Sequence, residues 1–434
     1  MEIISGFSKL NKTEKIEWLK SQTNSDSIDN IKNYWHREEK EQKVFDDFSE
    51  NTVGNFFLPF GLAPNFIIDS KIYTVPMVIE ESSVVAAASK SAKFWSTRGG
   101  FKTKIISTTK SGQVHFKFSG DPATLSNFFS LNKSQLILSC KDIMANMEKR
   151  GGGIKNLSLI NKTKDLERYY QLDVKFETCD AMGANFINSV LERLGQTLKQ
   201  MALESTLLSD SEKDIDITMC ILSNYTPECS VRAWVECSIE ALGDVSGMAS
   251  DKFASKFHDA IQIAKIDRSR AVTHNKGIFN GIDAVVLATG NDFRATSAGA
   301  HAFAAKDGNY RGLSSCSIKD GNFLFELTIP LAIGTVGGLT ALHPMAKTSL
   351  DILGAPSAKE LMSIVACTGL AQNFGAITSL VTTGIQKGHM KMHLLNILNQ
   401  LNATQEQVEN AKLYFDDKAI TFSDVRSFLN RSLH

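Results

Sequence analysis

The stretch YYQLDVKFETCDAMGANFINSVLERLGQTLKQ, residues 169–200, constrains this chain more than any other. Leu172, Val174 and Phe176 alternate as a half-buried strand does, Asp180–Gly183 supplies a turn, and Ile187, Val190, Leu191 and Leu194 then recur at helical spacing. A strand that passes through a glycine turn into a helix presents free backbone N–H groups and the positive end of a helix dipole. That arrangement suits an anion such as a dinucleotide pyrophosphate. The same pattern also serves as a plain structural joint with an Asp near the N-cap. The chain has no GxGxxG, so an ordinary Rossmann site is not expected. Gly151-Gly152-Gly153 precedes a strand-like segment, which fits a loop or a close backbone approach better than a phosphate-binding helix start.

Around this joint, strand candidates Val114–Phe118, Leu157–Ile160 and Leu172–Phe176 alternate with helix candidates Pro122–Phe129, Gln135–Lys149 and Ala184–Glu204. The alternation predicts a small α/β or α+β unit over residues 108–222, inserted into a larger one. In the charge-rich first fifty residues, helices are expected at Lys12–Ser21, capped by Asn11, and at Ser27–Phe48. Phe56–Pro59, Phe66–Ile68 and Tyr73–Pro76 read as short strands leading to Glu80-Glu81. Farther on, Asp251–Lys265 reads as an amphipathic helix, Ala284–Ala288 and Phe323–Ile329 as strands, and Ala358–Leu380 as mostly helix. The tail after Gly384 is polar and helical again, which suits a mobile appendage.

Composition narrows the partners. The 434 residues are 43% hydrophobic and 22% charged, enough to bury a core without disulfides, and the length suggests two or three domains. Lys+Arg and Asp+Glu both number 47, so no global field draws the chain to nucleic acid or an anionic membrane, and neither is expected as a partner. Seven scattered cysteines without a CxxC fit reduced thiols. The N-terminal residues lack the pattern of a signal peptide, and the most apolar stretch, Pro330–Ala346, is broken by Gly334, Gly337, Gly338 and Pro344. A cytoplasmic protein without a membrane span is expected.

Three further clusters could carry chemistry. In RSRAVTHNKGIFNGIDAVVLATGNDFRA, residues 268–295, Arg270, His274, Lys276, Asn280, Asp283, Asn291, Asp292 and Arg294 crowd around glycines and apolar flanks. Such groups either form a solvated surface or line a cleft, where they need partners. A lysine held near an aspartate in a cleft is a ready cation for a developing oxyanion. Glu80 and Glu81 lie between an apolar strand and an apolar helix start, either as dipole-favoured carboxylates or as a desolvated acid able to donate a proton. His389 and His393 have i, i+4 spacing, but the Glu of HExxH is missing and no third ligand is evident, so no metal is expected. Gly384 and Gly388 would let His389 swing as a late proton donor.

Taken together, VPMVIEESSVVAAAS, RGGG, DAMGAN, ILSN, RAVTHNKGIFNGI, VVLATGND, GTVGG, GLAQNFGA and GIQKGHM, in this order over nearly the whole chain, resemble the 3-hydroxy-3-methylglutaryl-coenzyme A (HMG-CoA) reductases. The resemblance is to the soluble class II form found in bacteria. It implies four-electron reduction of HMG-CoA to mevalonate and coenzyme A by two nicotinamide dinucleotides, without a metal. It implies an α+β fold: a large mixed helix/sheet catalytic domain (1–107 and 223–380), a small inserted ferredoxin-like, non-Rossmann dinucleotide-binding domain (108–222), and a C-terminal helical flap (381–434). It also implies a homodimer, or a higher oligomer of dimers, with active sites at the subunit interface.

Carried over by motif, the resemblance makes Glu81, Lys276, Asp292 and His389 catalytic. Lys276 would stabilise the oxyanion, held charged and oriented by donating a hydrogen bond to Asp292 nearby, which couples it to Glu81, while Glu81 would supply a proton and His389 would protonate the leaving thiolate. Arg270 would grip the free carboxylate of HMG, with Ser83, Asn224, Thr273 and Asn280 as polar neighbours. Asp180, Met182, Gly183, Ala184 and Asn185 would lie along the dinucleotide. Two residues depart from the family pattern: Ser82 stands at a usual proline, and Leu339 at a usual small residue. Asp142 competes with Lys141, Lys149 and Arg150 for the ribose; the bases nearest the glycines favour NADPH and leave NADH open. The alternatives are another CoA-thioester reductase on the same scaffold and a catalytically silent dimer that binds dinucleotide or CoA.

Overall fold

The computed structural model describes residues 3–23, 25–384, 394–415, 418 and 420–431. In chain order, α1 (Lys12–Gln22) and α2 (Glu39–Asp46) lead to a hairpin of β1 (Phe60–Ile68) and β2 (Lys71–Val78), then α3 (Val84–Ser96) and β3 (Lys102–Ser107). Next come β4 (Lys110–Lys117), α4 (Pro122–Leu138), α5 (Lys141–Glu148), β5 (Gly153–Asn161), β6 (Tyr169–Glu177), α6 (Ala184–Glu204) and β7 (Asp216–Ser223). They are followed by β8 (Ser230–Ser238), α7 (Ile239–Leu242), α8 (Ser250–Ile266), α9 (Arg268–Ala288), α10 (Phe293–Ala304), β9 (Ser314–Lys319) and β10 (Asn322–Pro330). The last elements are α11 (Leu339–Leu342), α12 (Pro344–Ile352), α13 (Ala358–Val381), α14 (394–400), α15 (Gln405–Tyr414) and α16 (Phe422–Arg431).

The period-two pattern of β6 buries Tyr170, Leu172, Val174 and Phe176 on one face. Against that face lies the α6 stripe of Ile187, Val190, Leu191, Leu194 and Leu198. The sheet runs β5-β6-β4-β7 with every neighbour antiparallel, the strand order of a ferredoxin-like split βαβ. A second antiparallel sheet, β3-β8-β10-β9, belongs to a separate and larger core. At the centre of that core is α13, started by a capping box between Ser357 and Glu360 and buried along most of its length. A third small cluster joins Leu394, Leu398, Ala411, Phe415 and Val425 in the C-terminal helices. The whole is a mixed helix and sheet fold of the α+β class.

α9 crosses α13 where both carry glycine. A Cβ on Gly281 would lie 2.7 Å from the carbonyl oxygen of Thr368, and one on Gly369 would lie 2.7 Å from Cγ1 of Ile282. The backbones can approach this closely only because no side chain intervenes.

Several sequence expectations are corrected. Ala284–Ala288 is the end of α9, not a strand: Ile278, Ile282, Val285 and Val286 are all buried in the core, and this burial outweighs the β preference of the paired valines. In place of one helix over Ser27–Phe48 there is a 3-10 segment, Asp26–Tyr34, and then α2. The break falls where Trp35 Nε1 donates to the Val53 carbonyl at 2.7 Å and Lys12 sits 4.3 Å from the Trp35 ring centroid. α4 continues past Phe129 to Leu138, and the chain breaks before α5, where Arg193 takes the Ser139 carbonyl at 2.9 Å. Phe56–Pro59 forms no strand. α13 is long and apolar enough by composition to cross a membrane, a property the sequence reading did not give it; two thirds of its most apolar window is buried inside the fold.

Gly281→Val places branched carbons against the Thr368 carbonyl, so α9 and α13 must part. The expected loss is about 1–3 kcal/mol, the usual cost of overpacking, read from the urea midpoint of the intact chain; an unchanged midpoint would show that the crossing yields freely.

Candidate active site

β2 ends at Val78 and α3 begins at Val84, so Glu80–Ser83 forms the turn between them. Ser83 closes that turn at φ +72°, a left-handed conformation uncommon for a residue with a side chain. From this turn Glu81 reaches α9. Lys276 Nζ pairs with Glu81 Oε2, and Asn280 Nδ2, one helical turn on, donates to the same oxygen at 3.3 Å. Lys276, Asn280 and Asp283 follow at i, i+4 and i+7 and so share one face of α9. Asp283 accepts hydrogen bonds from Ser297 Oγ of α10 at 3.0 and 3.3 Å, and burial pushes its carboxyl up to about 6.

Arg270 and Thr273 precede Lys276 on α9. The helix is started by Asp267, whose Oδ1 accepts from Arg270 N at 2.6 Å. Arg270 is half-buried, and burial lowers its pKa; among the described residues no carboxylate forms an ion pair with it. Thr273 is exposed and donates to the Ser269 carbonyl at 3.2 Å. His274 and Asn275 face the other way. Ser314 Oγ donates to Asn373 Oδ1 at 2.7 Å, so it accepts from His274 Nε2, also at 2.7 Å. Burial drives the His274 pKa down to about 3, which keeps the ring neutral and makes it a structural tie between α9 and β9.

The second cluster lies around the turn between β6 and α6. Gly183 has φ +90°, and a Cβ there would lie 2.5 Å from Thr178 Cγ2. Asp180 Oδ1 accepts from Ala358 N at 2.8 Å, and its carbonyl accepts from Thr335 N at 2.8 Å. The Asp180 side chain thus anchors the turn to the start of α13. Met182, Gly183, Ala184 and Asn185 line a cavity of about 990 Å³, together with Asp292 and the 336–340 segment. Phe48 stacks on His343 at 5.4 Å, and both also line the cavity. The volume and the glycine turn at a helix N-terminus fit a nicotinamide dinucleotide. Asn224, just past β7, lines a separate small cavity with Met182 and Ala184.

Asp292 caps α10. Its Oδ1 accepts from Ala295 N at 3.0 Å, and its Oδ2 accepts from Arg294 at 3.0 Å. At 1.5 Å per residue, about 18 Å of helix separates Lys276 from the end of α9, and Asp292 lies beyond that end. Inside one chain Lys276 therefore meets Glu81, and the lysine–aspartate hydrogen bond implied by the resemblance is not formed. His389 and His393 lie outside the described residues. Among the described residues no three His, Cys, Asp or Glu side chains gather as metal ligands.

Asp142 is engaged by Arg193 of α6 at 3.2 and 3.3 Å. The RGGG loop abuts the turn between β6 and α6: Cys179 Sγ–H donates to the Arg150 carbonyl at 3.1 Å. Two features escaped the sequence reading. Asp283 stood in the polar cluster without a role, although its helical register with Lys276 was available once α9 was recognised as one helix. Asn291 Oδ1 accepts from Gly334 N at 2.8 Å, a long-range tie that no local pattern signals.

A family model described as hydroxymethylglutaryl-coenzyme A reductase matches residues 11–394. A 3-hydroxy-3-methylglutaryl-coenzyme A reductase of Archaeoglobus fulgidus is 35% identical over 367 residues, covering 84% of this chain and 80% of that protein. A probable reductase of the same name from Borreliella burgdorferi is 33% identical over 402 residues, covering 92% and 88%. Among solved structures, a class II 3-hydroxy-3-methylglutaryl-CoA reductase from Streptococcus pneumoniae, bound to NADPH in open conformations, is similar with a TM-score of 0.73 and 36% identity, over 87% of this chain and all of that one.

Asp283 generates a pH prediction. Its folded pKa of about 6 exceeds the ordinary 3.8, so its contribution to stability is fully present below about pH 4 and is lost as pH rises through about 6. Asp283→Asn should flatten the decline in unfolding free energy across that window, measured by urea titrations at several pH values. Parallel curves for the two proteins would contradict the shift.

Proposed function

The chain belongs to the hydroxymethylglutaryl-coenzyme A reductase family, and from that premise we propose that each active site is built from two copies of the chain. The protein is an oxidoreductase of the mevalonate pathway that reduces HMG-CoA to mevalonate and coenzyme A with a nicotinamide dinucleotide. The observation that carries the two-copy reading is the separation along α9: Glu81, Lys276 and Asn280 form one half-site, while Asp292 and the Met182–Asn185 turn form another. In a twofold dimer the half-site of one protomer meets the complementary half-site of its partner.

The bound dinucleotide supplies the hydride in each reduction. Lys276 places its ammonium where negative charge develops on the thioester oxygen and later on the aldehyde oxygen. Glu81 and Asn280 orient that ammonium, and Glu81 supplies the proton that turns aldehyde into alcohol. Asp292 of the partner subunit pairs with Lys276 and orients it. His389 protonates the departing thiolate, a task suited to a group titrating near neutrality. Arg270, which has no carboxylate partner among the described residues, grips the free carboxylate of the substrate, with Thr273 close by in sequence and Ser83, Asn224 and Asn280 as further polar neighbours. Residues 1–107 and 223–380 bind HMG-CoA, 108–222 bind the dinucleotide, and 381–434 close over the site and exclude water.

NADPH is the preferred reductant. Asp142, the acid that would accept from a ribose 2′-hydroxyl, is already held by Arg193, whereas Lys149 and Arg150 flank the glycine loop beside the turn. The enzyme acts in the cytoplasm and needs neither membrane nor nucleic acid.

Incubation with HMG-CoA should oxidise two dinucleotides per substrate, faster with NADPH than with NADH, followed by nicotinamide absorbance; a single equivalent would overturn the double reduction. Lys276→Ala and Asp292→Ala should each lose about 10²-fold or more in turnover, as loss of an oxyanion donor or of its support does. Mixing the two variants after subunit exchange should restore about a quarter of wild-type activity, because half the dimers then carry one intact composite site. No recovery would mean that the two residues act within one chain.

A further inference from the structure

Lys110 opens β4 and is only 4% exposed. Among the described residues no carboxylate forms an ion pair with it. Its ammonium donates to Thr178 Oγ1 and, at 2.7 Å, to the Ala181 carbonyl, which also accepts from Thr178 Oγ1 at 2.7 Å. The groups whose charge could balance it are occupied or neutral. Glu177 accepts from Thr108 Oγ1 and from Cys179 N, and Asp180 accepts from Ala358 N. Burial pushes the Cys229 thiol up to about 11 and raises that of Cys179, so both stay protonated. Burial also lowers the pKa of Lys110 itself. Lys110 also lines the small cavity it shares with Met182, Ala184 and Asn224.

A buried cation without a counter-ion is costly to the fold, and an apolar side chain of similar length would remove that cost. Thr178 and Ala181 would still bond each other. Stability therefore does not account for a lysine here, but an anionic ligand at the adjoining helix N-terminus does, because charge acts far more strongly through a low-dielectric interior than through water. We propose that Lys110 is a positioning residue for the dinucleotide: it fixes the Ala181 carbonyl, and with it the Met182–Asn185 turn, and stands behind the start of α6 as a positive charge that the bound polyanion balances. This assignment rests on the dinucleotide reading of that turn given above.

The test measures binary complexes of the intact chain, NADPH by nicotinamide fluorescence and HMG-CoA by calorimetry, for wild type and Lys110→Met. The Kd for NADPH should rise about tenfold or more, the loss expected for a bond to a charged group. The Kd for HMG-CoA should not change, and Tm should hold or rise. A purely structural lysine would instead lower Tm and weaken both ligands alike, and that result, or an unchanged Kd for NADPH in a folded variant, overturns the assignment. Should Lys110→Met fail to fold, Thr178→Val decides by the same criteria: weaker NADPH binding alone supports the assignment, and parallel losses or none overturn it. A wild-type chain that binds no dinucleotide would instead overturn the reading of the turn on which this one stands.

Discussion

The glycine-lined crossing of α9 and α13 fixes the remaining geometry of the catalytic half-site. With Gly281 against the Thr368 carbonyl and Gly369 against Ile282, the rotation of α9 about its axis is set by backbone contact. His274 and Asn275 lock that rotation from the opposite side through Ser314, Arg311 and Leu313. Once rotation is fixed, the face carrying Lys276, Asn280 and Asp283 can only look toward Glu81 and α10. The neutral state of His274 belongs to the same device, since a protonated imidazole in that position would be a buried charge without a counter-ion.

The length of α9 then imposes the second constraint. A helix is a rigid spacer, and one long enough to span the large core carries Lys276 well away from Asp292. Within one chain the Lys276–Glu81 pair lies near the middle of α9, and Asp292 and the Met182–Asn185 turn lie past its C-terminal end. A twofold axis is the simplest symmetry that brings unlike halves together twice. The pairing with Glu81 inside the chain fixes where the Lys276 ammonium points.

The turn between β6 and α6 shows how the core of one sheet is held to that of the other without a covalent staple. Asp180 Oδ1 accepts from Ala358 N at the start of α13, the Asp180 carbonyl takes two N–H groups from the 335–336 segment, and Gly334 admits the Met182 backbone at a distance no side chain would allow. Lys110 adds a buried charge to these neutral ties. The result is a turn stiff enough to present the N-terminus of α6 and unbalanced enough in charge to favour an anion there.

Local pattern alone determined a good part of this protein. The alternation in β6, the stripe and full span of α6, and the Asn11 cap of α1 follow from periodicity and cap chemistry, which act over a few residues. The order of the motifs determined the family. Ala284–Ala288 was misread because a run of β-branched residues favours a strand until burial in the core makes the helix better. The anchoring of Asp180 to the start of α13, the separation of Lys276 from Asp292, and the burial of Lys110 beneath the turn were decided by the tertiary structure. Each depends on groups tens to hundreds of residues apart in sequence, and a short-range pattern carries no information about which distant donor, acceptor or void will face a given side chain once the chain has closed.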